Sequence, residues 1–188
     1  MKKLIIFIFF NLFFLDLHAL ELKGKFYQGN LIIGNTEPGS RVFIDKKKIK
    51  ISNEGFFVFG LSKNRKKDII IEIIKKEDSK KIIKKIFKKK YKIQRIDNLP
   101  KNQVTPPKEF YERIKSDNKL IGEARSVNSD LTFFKDKFKV PIKNSIITGV
   151  YGSQRILNGI PKSPHYGLDF AAKEGTEIKA MLDGVVTL

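Results

Sequence analysis

The chain has 188 residues, room for one ordinary domain or two small ones, and 41% of them are hydrophobic, 16 Phe included, so it should fold at least in part. Its 38 Lys and Arg against 20 acids leave a formal charge of +18, which points to an anionic neighbourhood: nucleic acid, acidic lipid or an acidic wall polymer, among which charge alone does not choose. With no cysteine, a disulfide framework and a thiolate metal site are both excluded, and any transition-metal ligand must be His, Asp or Glu.

The first stretch, "MKKLIIFIFFNLFFLDLHALELKG", sets Lys2 and Lys3 before a nearly uncharged run over residues 4–15 and reaches a small residue at Ala19. That is the layout of a secretory signal peptide over residues 1–19, with the mature chain starting at Leu20. Leu17 is larger than the cleavage rule prefers, which keeps an uncleaved anchor as the alternative. The run is short against the ~20 residues of a membrane span, so no stable span is expected after cleavage. Export to the periplasm or cell envelope argues against a nucleic-acid partner despite the charge. A buried apolar helix would not account for the leading lysines.

Residues 20–100 read as an N-terminal β domain. "NLIIG", "SRVFID", "GFFVFGL" and "DIIIEII" are short runs of Ile, Val and Phe, separated by "NTEPGS", "SNEG" and "SKNRKKD", which hold the Pro, Gly and Asn that turns require. Such spacing predicts a small β-sandwich. The stretch "KKIIKKIFKKKYKIQRI" also satisfies a helical pattern through Ile82, Ile83, Ile86, Phe87 and Tyr91, but its β-branched and aromatic content favours strand. Residues 75–95 hold eleven Lys or Arg against two acids, a net of +9. Such a run serves either as a solvated face or as a docking element for a polyanion.

A linker over residues 101–137 follows. In "LPKNQVTPPKEF", Thr105 can cap a helix and Pro106 can take its first position. The expected helix covers 107–127, with Phe110, Ile114, Ile121 and Ala124 along one stripe. It reads as a rigid link between domains, or else as a helix belonging to the first domain.

Residues 138–188 carry the chemistry. Glycines recur between short apolar runs, at Gly149, Gly152, Gly159, Gly167, Gly175 and Gly184, as in a tightly turned β structure. His165 and Asp169 stand around Gly167 in "SPHYGLDF". On a straight strand they would be ~13 Å apart. Two ligands of one zinc need donor atoms only a little over ~3 Å apart, given bonds of ~2.0 to 2.2 Å. A bend or bulge near Tyr166 and Gly167 would bring them together. On spacing alone the pair is either a hydrogen-bonded surface pair or two metal ligands.

"YGSQR", "HYGLDF" and "GTEIKAMLDGVV", in that order, resemble the opening half of the lysostaphin-type, or LytM-type, zinc metallopeptidases, and "QRIDNLP" echoes a segment ahead of the peptidase domain in similar Gram-negative proteins. The resemblance implies that His165 and Asp169 match the family's H-x-x-x-D ligands of Zn2+. It also implies a mainly β fold: the small sandwich-like domain, a linking α-helix, then the first strands of a LytM-type antiparallel β domain of the duplicated hybrid motif kind. The family's third ligand belongs to an H-x-H motif further downstream, and its catalytic histidines have no matched positions here, so no catalytic residue is assigned in this chain. "DGVVTL" ends inside an apolar run, and the expectation is an incomplete, inactive fragment of a longer enzyme unless Glu174 or Asp183 completes the site. The implied activity is zinc-dependent hydrolysis of peptidoglycan crosslinks in the periplasm. Two alternatives stand beside it: a non-catalytic LytM-like regulator of cell-wall amidases, with divisome or amidase partners, and a basic wall-binding module using residues 75–95.

Overall fold

A computed structural model describes residues 20–188; the expected signal peptide, residues 1–19, lies outside the described residues. The runs of Ile, Val and Phe in the first half form seven strands: β1 (Glu21–Lys23), β2 (Leu31–Asn35), β3 (Arg41–Ile44), β4 (Lys47–Ile49), β5 (Phe56–Gly60), β6 (Ile69–Lys75) and β7 (Asp78–Lys84). They pair antiparallel into two sheets, ordered β1-β2-β5 and β4-β3-β6-β7. Side chains alternate across a pleated strand, and in β6 this buries Ile69, Ile71 and Ile73 while Ile70, Glu72 and Ile74 stay half-buried on the other face. The sheets close on one core in which Ile32 of β2 and Phe57 and Phe59 of β5 meet Val42 of β3 and the three inward Ile of β6. This is the sandwich the turn spacing predicts. The ambiguous basic stretch is not helical: β7 pairs with β6, Ile82 opposite Ile71 and Ile83 opposite Ile70, residues 85–92 carry only an isolated bridge at Phe87, and strand resumes at Ile93.

Two local features hold the sandwich. Gly34 lies directly under the Phe57 ring, where a Cβ would collide with the ring's outer carbons. At the β3–β4 hairpin, Asp45 and Lys46 both take positive φ (49° and 70°), the backbone of a two-residue turn that matches strand twist. The Asp45 carboxylate accepts from Arg65 Nη1 at 2.6 Å, Arg65 Nη2 at 3.1 Å and the Ile70 amide at 3.1 Å. The hydrogen bonds from Arg65 hold the Asp45 carboxyl below the usual carboxylate range.

After the sandwich come β8 (Ile93–Ile96), a helical turn α1 (Lys101–Val104), a tight turn at Lys108–Phe110 and the helix α2 (Tyr111–Ser126), close to the expected 107–127. Thr105 does not cap it. Its amide closes α1 by donating to Lys101 O at 2.9 Å, and its own backbone is extended because prolines at 106 and 107 disfavour helix in the residues before them. No residue of α2 is buried; Phe110 and Ile114 are exposed and Ile121 and Ala124 half-buried, so the helix links rather than fills a core. No helix of the described residues is long and apolar enough to cross a membrane.

The last segment forms β9 (Ile146–Gly149), β10 (Gln154–Leu157), β11 (Ile160–Pro161) and β12 (Asp169–Ala171). β12 pairs antiparallel with β9, and β11 with β10. One pairing departs from the antiparallel expectation: β8, from ahead of the helix, lies parallel to β10, with Gln94 opposite Arg155. The described residues are mainly β with a linking helix.

Gly34→Ala should destabilise the sandwich by ~1–3 kcal/mol, the usual cost of forcing a group into a filled core, read as a lowered denaturant midpoint at unchanged slope. Asp45 has a depressed folded pKa, so its contribution is present above its unfolded value near ~3.9 and fades as pH falls through the lower folded value. The stability gap between wild type and Asp45→Asn should therefore be open at pH 6 and narrow steadily below about pH 4.

Candidate metal centre

The main chain of His165 is tied to the turn that precedes β10. Its amide donates to Ser153 O at 2.9 Å, and its carbonyl accepts from the Gly152 amide at 2.7 Å. Ser153 is fully buried, with its hydroxyl donating to Val150 O at 2.8 Å, which stiffens the same turn. From there the chain bends at Gly167 and enters β12 at Asp169. The pairing of β12 with β9 slips between Asp169 and Phe170: Asp169 faces Gly149 while Phe170 faces Ile147, leaving Thr148 as the extra residue of a bulge. Gly149 matters by what it lacks, since a Cβ there would occupy the position of the Asp169 carboxylate.

The bend and the slipped register bring His165 Nε2 to 3.1 Å from Asp169 Oδ1. The expected juxtaposition about Gly167 is thus observed. The His165 side chain is 17% exposed, and its Nε2 is buried without a hydrogen-bond partner, though it stands within ion-pair distance of Oδ1. The other carboxylate oxygen is occupied: Oδ2 accepts from Arg155 Nη2 at 2.9 Å. Arg155 Nε in turn donates to Gln94 Oε1 at 3.3 Å, and Gln94 Nε2 reaches Thr148 O at 3.4 Å.

The two donors suit one small cation. Ligands on a tetrahedral zinc with bonds of ~2.0 to 2.2 Å sit a little over ~3 Å apart, the spacing seen here, and the orphaned imidazole nitrogen is the kind of group a metal would satisfy. The residues present fit two coordination positions. Among the described residues no group of three His, Cys, Asp or Glu converges, so neither Glu174 nor Asp183 joins the pair.

Sequence reasoning assigned no role to Arg155 or Gln94, although both lie in segments that carry the family resemblance. They become neighbours of Asp169 through the register of β8 with β10, a pairing across more than fifty residues of chain that leaves no local signal. No protein-family model matches this chain, and no curated protein matches it.

Gly149→Ala should displace the Asp169 carboxylate from both Arg155 and His165. The expected readout is a changed His165 ring resonance in proton NMR, with an unchanged unfolding midpoint for the distant sandwich core.

Proposed function

We propose that this chain belongs to a secreted zinc metalloendopeptidase of the lysostaphin or LytM type, which hydrolyses peptide crosslinks of peptidoglycan in the periplasm, and that His165 and Asp169 are two of its zinc ligands. The observation that carries the reading is the 3.1 Å approach of a buried, hydrogen-bond-free His165 Nε2 to Asp169 Oδ1. Zinc held there supplies Lewis acidity toward a substrate carbonyl and a water. The chain's own residues have separate tasks. His165 presents its ring Nε2 from a main chain held by two backbone hydrogen bonds, and Asp169 presents one carboxylate oxygen. The net charge of +18 suits the anionic stems of the wall polymer.

The Arg155 contact also fits a second reading, a non-catalytic regulator that binds wall amidases, in which the Asp169 carboxylate serves only its ion pair with Arg155. Zinc titration of residues 20–188, followed on the His165 ring signals, separates the two. The peptidase reading expects a saturable shift that is lost in His165→Ala and in Asp169→Ala. It also expects no wall hydrolysis by this chain alone, since two protein ligands hold zinc weakly and leave the catalytic positions unmatched. Supplying a downstream segment with the family's H-x-H should restore zinc-dependent hydrolysis. His165 signals that ignore zinc at every concentration would sink the peptidase reading and leave the regulator.

A further inference from the structure

We infer that Arg155, braced by Gln94 from the strand ahead of the linking helix, is a positioning residue that fixes the orientation of the Asp169 carboxylate so that a single oxygen faces His165. The inference rests on the metal-site reading above for its consequence, and on the geometry alone for its cause. A carboxylate on a free side chain can rotate and offer either oxygen, or both, to a neighbour. Here Oδ2 is taken by Arg155 Nη2 at 2.9 Å, and Oδ1 alone is left at 3.1 Å from His165 Nε2. A charge-assisted hydrogen bond of that length is strong enough to set the rotamer. It holds Asp169 to one-oxygen presentation.

Arg155 is long and needs its own support. Its Nε donates to Gln94 Oε1, and the Gln94 amide nitrogen reaches back to Thr148 O, the extra residue of the β9–β12 slip. The parallel pairing sets Gln94 directly opposite Arg155, so both side chains leave the sheet on the same face. A chain of contacts therefore runs from β8 through Arg155 on β10 to Asp169 on β12, and its first member precedes α2 in sequence. The consequence is specific: residues 93–96 are a working part of the candidate centre, and a domain cut to begin after the linking helix would lose the brace.

The test uses residues 20–188 and reads the Asp169 side-chain carbon and the His165 ring by NMR, first without metal and then with zinc. Arg155→Gln removes the charge but keeps an amide; Gln94→Ala removes only the brace and leaves Arg155 in place. Circular dichroism and the unfolding midpoint establish that each variant is folded. Without zinc, Arg155→Gln should shift both reporter signals, and Gln94→Ala should shift them in the same direction by less. With zinc, Arg155→Gln should weaken binding about 10-fold to 100-fold, the usual effect of losing a group that orients a ligand. Arg155→Lys, which keeps one charged contact without the fork that also reaches Gln94, should recover part of the loss.

Reporter signals unmoved by both variants in a folded chain would overturn the inference, as would zinc affinity unchanged in Arg155→Gln. Should Arg155→Gln fail to fold, the Gln94→Ala shifts decide. Wild-type protein that shows no zinc response, while the metal-free shifts appear as expected, would defeat the peptidase reading and leave the positioning role standing.

Discussion

The parallel pairing of β8 with β10 is the constraint on which the second half of the molecule depends. Parallel neighbours cannot be joined by a tight turn, and the chain between Ile96 and Gln154 serves as the long connection such a pair requires. That gives the exposed helix α2 its reason: it is carried in the crossover and need not bury a face. The pairing is anchored at its start. Tyr91, just before β8, packs its ring against Gly152, just before β10, and Lys63 of the sandwich sits 4.9 Å from the ring centre while donating to Gly152 O at 3.0 Å. The sandwich, β8 and the His165 turn thus meet at one place, since the Gly152 amide also holds His165 O.

Charge has a structural use before any partner is considered. β7 is an edge strand of its sheet, and Lys80, Lys81 and Lys84 along it discourage another chain from pairing there. Further on, Lys85 lies 5.9 Å from the Phe87 ring centre and Lys89 5.9 Å from that of Tyr91, contacts that engage ammonium groups within the fold. The net of +9 over residues 75–95 is therefore spread over an edge, two aromatic faces and solvent. An edge protected by lysine and a surface attractive to a wall polymer are compatible, because both need the charge outside.

Much of this was legible in the amino-acid order, and the illegible parts share one cause. Strand positions in the sandwich follow from runs of Ile, Val and Phe between turn residues, and the approximate span of α2 from its apolar stripe. The bend at Gly167 that brings His165 toward Asp169 is a local property, while the slipped register with β9 that completes the approach is not. Arg155 and Gln94 could not be placed beside Asp169 in the same way, because their neighbourhood is created by strand register between distant segments. Thr105 shows the opposite failure: the local signal was real, but two prolines hold the backbone extended and the helix starts later.

Three buried polar side-chain atoms among the described residues lack a partner: Ser40 Oγ, Tyr91 OH and His165 Nε2. Each costs the fold about 1–3 kcal/mol of unrecovered desolvation. They are not equivalent. Burial first, and the nearby Tyr151 second, push the Tyr91 hydroxyl pKa up, which keeps it neutral and makes its isolation tolerable, and Ser40 is likewise neutral at any ordinary pH. Of the three, His165 Nε2 has a carboxylate oxygen within ion-pair distance, Asp169 Oδ1 at 3.1 Å. The backbone contacts to Gly152 and Ser153 hold the main chain of His165, and Arg155 holds the Asp169 carboxylate. Of the three atoms it is His165 Nε2 that the proposed zinc reading puts to use, with Asp169 Oδ1 beside it.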